Sequence, residues 1–409
     1  MVLKVVVFLA AVVLVCGSSA PSFEDANSKI SINVEEDARL NTAQLVTKYG
    51  YPNEVHEVQT EDGYLLTMHR ITAAKGQTPV ANKPVVFLMH GLLSSSADWI
   101  NMGPGSGFGY LLADQGFDVW MGNARGNTYS RKHATLNPDK NSKFWKFSWN
   151  EIGYYDLPAM IDYVLAKTGK TQLHYAGHSQ GTTSFFVMCA LRKEYNAKIR
   201  SMHALAPVAY MSNLKSPLVQ LLSPLANTLE FLTSLIGVNE FLPSSELMTI
   251  AGKLLCEDDA FFQPVCSNIL FLICGFNPDL LNTTMLPVML GHTPAGASSK
   301  QMVHYGQEFR SAKFRKYDFG LISNLAEYGS TSPPNYSLKD VTAPVFLHYS
   351  DNDWMAASVD VDQLYKELGN PIGKFKVAHP KFNHLDYLWA IDVRPLLYDR
   401  IINLMVAFN

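Results

Sequence analysis

Ser179 lies in Gly177-His178-Ser179-Gln180-Gly181, a serine with a glycine two residues away on either side. A serine hydroxyl is a weak nucleophile near neutrality. It performs acyl transfer only when a base takes its proton and a carboxylate orients that base. Candidates for both stand near the carboxyl end of the chain. Asp353 occurs in Ser350-Asp351-Asn352-Asp353-Trp354, just after the apolar run Val345-Phe346-Leu347-His348-Tyr349, with Asp351 as the competing acid. His384 occurs in Asn383-His384-Leu385-Asp386, with His379 as the competing base. The same chemistry needs donors for the developing oxyanion. His90-Gly91-Leu92-Leu93 follows the apolar run Val85 to Met89, so the backbone amides of Leu92 and Gln180 are the expected pair. His90 itself is expected to organise the loop rather than move protons.

The glycine–serine pattern is weak by itself, matching by chance in roughly one chain in ten of this length. An ordinary glycine turn is the bland alternative, and the surrounding elements decide between the two. Leu173 to Ala176 is strand-like and runs straight into the motif, while Thr182 to Leu191 continues as a helix opening at Gln180. A tight strand–turn–helix forces the serine into sparsely populated backbone angles, and the glycines let strand and helix approach.

Around this unit, strands and helices alternate. Val55 to Thr60 and Tyr64 to Ile71 are strand-like, with Glu61-Asp62-Gly63 as a hairpin turn. Val85 to Met89, Phe117 to Met121, His203 to Val208, Val345 to Tyr349 and Phe375 to Val377 read as further strands. Helical spacing appears over Leu157 to Lys167, Val361 to Leu368 and Tyr387 to Val406. This alternation predicts an α/β fold with a mostly parallel central sheet covered on both faces.

Residues 210–335 break the pattern. They are rich in Leu, Phe and Pro, and only Lys215 and Glu230 carry charge between Met211 and Asn239. We expect a helical cap inserted between a first core part, 46–209, and a second, 336–409. Most of its apolar residues serve a small helical core. The remainder suggests a lid over an acyl-binding pocket.

Lys4, the apolar run Val5 to Val15 and the small residues Gly17 to Ala20 predict a signal peptide over 1–20. Residues 21–45 read as a leader or propeptide, with the acidic run Glu35-Glu36-Asp37. In the oxidising compartment this implies, Cys256 and Cys266 could close a loop worth roughly 3 kcal/mol. Cys189 and Cys274 lie in apolar runs and are expected as buried thiols. Asn282-Thr283-Thr284 and Asn335-Tyr336-Ser337 are glycosylation acceptors.

The 409 residues are 47% hydrophobic and 17% charged, with net charge −3. A disordered chain is thereby excluded, and nucleic acid is not an expected partner without basic excess. The absence of H-E-x-x-H and paired Cys-x-x-Cys gives no reason to expect a metal. His178 fills a variable position of the elbow, and His292, His304 and His348 read as core or surface residues.

Taken together the motifs resemble the animal acid lipase family, which contains gastric and lysosomal acid lipases. The similar stretches include Tyr49-Gly50-Tyr51-Pro52, Thr60-Glu61-Asp62-Gly63-Tyr64, His90-Gly91-Leu92-Leu93, Gly122-Asn123-Ala124-Arg125-Gly126-Asn127, Tyr155-Asp156-Leu157-Pro158-Ala159, His174 to Thr182 and Asn383-His384-Leu385-Asp386. The resemblance implies an α/β-hydrolase fold with an inserted helical cap, and hydrolysis of neutral-lipid esters without a cofactor. It puts the nucleophile on Ser179, the acid on Asp353, the base on His384 and the oxyanion amides on Leu92 and Gln180. It also implies a cap disulfide between Cys256 and Cys266, a free cysteine at Cys274, sugar on Asn282 and a lid within about residues 240–275. The chain departs from the family at Ala356-Ala357-Ser358, where Ala-Asp-Pro is common. Its cysteine loop is also one residue longer than that of gastric lipase.

The expected partners are a lipid ester and a lipid–water interface, with no transmembrane anchor. The expected destination is the secretory pathway, extracellular or lysosomal. Two other classes use the same residues: a lipid-binding or storage protein with a vestigial triad, and a carboxylesterase or acyltransferase.

Overall fold

A computed structural model describes residues 32–222, 239–241 and 273–409. The expected signal peptide, the Cys256–Cys266 pair and most of the expected lid lie outside the described residues.

Eleven strands are described: β1 (Asn53–Gln59), β2 (Tyr64–Ile71), β3 (Val85–Met89), β4 (Asp118–Met121), β5 (Lys132–His133), β6 (Leu173–His178), β7 (Ile199–Leu205), β8 (Glu240–Phe241), β9 (Ala297–Ser298), β10 (Val345–Tyr349) and β11 (Pro371–Lys376). The main sheet runs β1-β2-β4-β3-β6-β7-β10-β11, with β5 beside β2. The β1–β2 and β2–β4 ladders are antiparallel, and the ladders from β4 through β11 are parallel. β8 and β9 form a separate small pair.

The burial pattern follows from this order. Every residue of β3, β4 and β6 is buried, because these central strands have helices on both faces. Edge strand β1 instead alternates between partly buried and exposed. Alternate residues of β3 divide between two cores. Val85, Phe87 and Met89 join the cluster containing Ile161, Val164 and Phe185. Val86 and Leu88 join the cluster containing Phe108, Leu111 and Ile401. Period-two geometry sends successive side chains to opposite faces, so one short run holds both layers.

Parallel strands share a direction. The turns after β3, β6, β10 and β11 therefore emerge at one edge of the sheet. β7 and β10 are neighbours there, although residues 206–344 separate them in sequence. The described parts of that stretch include helices Leu286–His292, Ser299–Ser311 and Leu321–Tyr328. No helix among the described residues is long and apolar enough to cross a membrane.

Residues 32–48 form helices Ile32–Asp37 and Thr42–Lys48, with Leu45 and Val46 buried. The acidic run meets a cation there, since Lys48 Nζ lies 2.7 Å from Glu36 and 2.6 Å from Asp37. Two local expectations differ from the structure. The apolar signal at Phe375 marks only the end of β11, which begins at Pro371. The last helix is not continuous from Tyr387 to Val406. It breaks after Trp389, where Ala390 pairs with Leu281 and the Ile391 amide donates to Leu280. Helical structure resumes at Arg394, with Pro395 in a first turn that needs no amide donor.

A chain of buried polar side chains crosses the middle of the sheet. His174 is hydrogen-bonded to Ser201 at 2.7 Å, Ser201 to His203 at 3.1 Å, and His203 to His348 at 3.3 Å. Burial pushes His203 well below its ordinary range and His348 down to about 3. A histidine depressed in the folded state takes up its proton mainly on unfolding. Its contribution to stability is therefore present above the unfolded pKa of 6.5 and is lost as pH falls below it. The loss for one such histidine at pH 5.5 is about 1 kcal/mol. We expect His348→Phe to remove about that much from the difference in unfolding free energy between pH 7.5 and 5.5. Denaturant titrations at the two pH values measure it, and an unchanged difference would contradict the assignment.

Candidate active site

Ser179 is the hinge between β6 and helix Gln180–Leu191, with φ 50° and ψ −114°. This left-handed angle is costly for a residue with a Cβ and persists only when the surroundings enforce it. Two close approaches do so. A Cβ on Gly181 would lie 2.2 Å from the Met89 carbonyl oxygen, and one on Gly177 would lie 2.8 Å from the Gly181 carbonyl carbon. No side chain fits at either position, so the helix start packs directly on the ends of β3 and β6.

His384 Nε2 lies 2.8 Å from Ser179 Oγ. The other ring nitrogen, Nδ1, lies 2.9 Å from both carboxylate oxygens of Asp353. Asp353 is fully buried, and its Oδ1 also accepts the amides of Met355 and Ala356 at 2.9 and 2.8 Å. The competing residues are elsewhere. Asp351 pairs with Lys376 at the surface, and His379 makes no hydrogen bond to Ser179 or Asp353.

The turn after β3 closes on the serine from the other side. A Cβ on Gly91 would meet Ser179 Cβ at 3.3 Å. Leu93 continues the turn with φ 62°. The Leu92 and Gln180 amides find no acceptor among the described residues. Gln180 is the first residue of its helix, where the amides have no intrahelical partner and carry the positive end of the dipole. His90 does not reach the reacting atoms. Burial lowers it to about 4 and keeps it neutral at neutral pH. Its Nδ1 donates to the Gly91 carbonyl at 2.7 Å, and its Nε2 accepts the amide of Ala124 at 3.1 Å.

Sequence reasoning passed over two side chains beside the triad. His178 was read as filling a variable position, yet its Nε2 donates to the His384 carbonyl at 2.9 Å and its ring centroid is 5.0 Å from that of His384. Burial and the neighbouring His384 lower it to about 3, so it is neutral. Asp386 is buried, and burial pushes it up to about 7, with the Asp353 charge adding. Its Oδ2 accepts the Asn383 amide at 2.7 Å and Asn277 Nδ2 at 2.6 Å. The motif Asn383-His384-Leu385-Asp386 was the available signal, but nothing local indicates which way Asp386 faces.

Of the remaining expected residues, Asn335 is exposed and Asn282 partly so. Cys189 and Cys274 are buried thiols, and their burial raises both pKa values. No group of histidine, cysteine and carboxylate side chains suited to a metal occurs among the described residues.

Residues 84–391 match the model of the alpha/beta hydrolase fold, and residues 42–103 match that of a partial alpha/beta-hydrolase lipase region. The chain is 45% identical to Lipase 3 of Drosophila melanogaster, over 100% of this chain and 99% of that protein. It is 40% identical to human lysosomal acid lipase/cholesteryl ester hydrolase, over 92% and 93% of the two chains. Identity to bovine gastric triacylglycerol lipase is also 40%, over 92% and 93%. Among solved structures, a soluble variant of Saccharomyces cerevisiae monoglyceride lipase matches with TM-score 0.51 and 13% identity, over 87% of this chain and 96% of that one, which bears on the fold alone. Sequence, sheet order and relatives agree that the chain belongs to the α/β-hydrolase fold family, in its branch of acid lipases.

Proposed function

We propose that this protein is a serine lipase hydrolysing neutral-lipid esters at a lipid–water interface, with Ser179 as nucleophile, His384 as general base and acid, and Asp353 as the carboxylate orienting His384. One observation carries the reading: a single imidazole bridges the serine oxygen and a buried carboxylate at hydrogen-bond distance on both sides. The named relatives supply the substrate class, triacylglycerol or cholesteryl ester.

The chemistry runs in two halves. Ser179 Oγ attacks the ester carbonyl carbon while His384 Nε2 takes its proton. Asp353 holds Nδ1–H toward itself, which fixes the tautomer and stabilises the imidazolium. The carbonyl oxygen becomes an oxyanion facing the Leu92 and Gln180 amides. One such donor is worth about 3–4 kcal/mol in the transition state. The tetrahedral species collapses, the C–O bond to the alcohol breaks, and the departing oxygen takes the proton from His384. Water then attacks the acyl-Ser179 ester as His384 removes its proton. Return of that proton to Ser179 Oγ frees the fatty acid. Every electron pair is supplied by substrate, serine or water, so no cofactor enters.

The reading extends to processing and location. A signal peptide over 1–20, a Cys256–Cys266 disulfide, sugars on Asn282 and Asn335, a lid within about 240–275 and a secreted destination, with the lysosome as alternative, form one consistent set.

Ser179→Ala is expected to abolish both fatty-acid release from emulsified triacylglycerol and labelling by a fluorophosphonate. Asp353→Asn is expected to lower kcat by roughly 10³–10⁴-fold, because it favours the wrong imidazole tautomer. Folded wild type that neither labels nor turns over any ester would favour lipid binding instead. For the processing set, peptide mapping of secreted protein before and after an N-glycosidase should show sugar on both asparagines and a Cys256–Cys266 linkage. Unmodified asparagines or two free thiols would remove those elements from the proposal.

A further inference from the structure

The acid and the base of the triad sit on two different loops, one after β10 and one after β11. Two side chains join them directly, Ser350 Oγ donating to the Phe382 carbonyl and Asn352 Nδ2 to the Lys381 carbonyl, each at 2.6 Å. A third segment, distant in sequence, ties both loops again beside the acid and the base. Between Cys274 and Asn277 the chain makes a hydrogen bond to one loop or the other at every residue. The Cys274 carbonyl accepts two amides at 3.2 Å each: that of Trp354, next to the acid, and that of His384, the base itself. The Gly275 carbonyl accepts Asn383 Nδ2 at 2.9 Å. The Phe276 carbonyl accepts Asn352 Nδ2 at 3.1 Å. Asn277 Nδ2 donates to Asp386, whose same oxygen holds the Asn383 amide.

The segment is also fitted sterically. Gly275 has φ +116°, and a Cβ there would lie 2.2 Å from the Asn352 carbonyl oxygen. It therefore enters the crevice between the residue before the acid and the residue before the base, where only a glycine passes. Asn277 and Asp386 are both buried, and Asp386 retains a two-donor hydrogen-bond set despite the cost of burying a carboxylate.

We infer that residues 274–277 form a strap that holds the loops of Asp353 and His384 in register, with Asn277 and Asp386 as positioning residues that act through the base loop. Neither side chain touches the reacting atoms. The strap sets where the imidazole stands between Ser179 and Asp353, and hence how often Nε2 is aligned to take the proton. The inference rests on the proposed triad.

Two variants test it: Asn277→Ala, which cuts the link to Asp386, and Asn277→Leu, which removes the same donor while keeping the buried volume and so keeps the test available if the first variant does not fold. Both are compared with wild type on a water-soluble p-nitrophenyl ester, in fluorophosphonate labelling, and by the far-downfield proton resonance of His384 Nδ1–H. The strap predicts that kcat and the labelling rate fall together by roughly 10–100-fold while KM stays within about twofold. The downfield resonance should broaden or vanish. Unchanged kcat, or a rise in KM alone, overturns it. If wild type shows the resonance but neither labels nor turns over, the lipase reading fails. The strap is then judged by whether the variants lose the resonance.

Discussion

The contact between Gly181 and the carbonyl of Met89 sets the geometry above it. A Cβ there would come within 2.2 Å of that oxygen, so the helix start can rest on the strand end only without one. Because it does, Ser179 is forced to φ 50° at the partly buried tip of the turn. Gln180 becomes the first helical residue, with its amide free. The β3 turn, carrying Gly91 and Leu92, lies against the serine from the other side. The proposed nucleophile and oxyanion donors thus come from one packing constraint between neighbouring parallel strands.

The rest of the machinery answers to longer-range constraints. Arg125 is buried and pairs with Asp62 of the β1–β2 turn at 2.6 Å and with Asp156, at the start of helix Leu157–Thr168, at 2.7 Å. Its guanidinium also stacks 3.9 Å from the Tyr64 ring. Asn123 accepts the Ser96 amide at 2.9 Å and donates to the Thr67 carbonyl at 2.9 Å. The motif from Gly122 to Asn127 therefore spends its polar groups fastening the loops around the β3 turn. His90 takes part through the Ala124 amide. A buried charge keeps its place only when its hydrogen bonds are filled, which explains why these residues form a closed set.

Much of the fold is legible from pattern. The strand bounds of β3 and β10 agree with the apolar runs, because strands buried on both faces are continuous hydrophobic segments. Less legible were elements whose identity depends on partners. β11 begins with Pro371, Ile372 and Gly373 and reads poorly as a strand, yet pairing with β10 imposes it. The break after Trp389 follows from pairing with residues 280 and 281, which no window over the last helix contains.

By itself the sequence determined the elbow, the order serine–aspartate–histidine, and the strand ends from which each residue springs. Those are local facts of spacing and periodicity. Between Asp351 and Asp353, and between His379 and His384, the residues alone left the choice open and resemblance to a family leaned one way. Tertiary structure separates the candidates physically: Asp353 is sealed and hydrogen-bonded to His384, while Asp351 faces solvent with Lys376. The same holds for the ring of His178 on His384, and for the segment at Gly275 threading between two loops. Such contacts join residues roughly one hundred or two hundred positions apart. They exist only once the sheet has brought its strand ends together, so no local pattern can encode them.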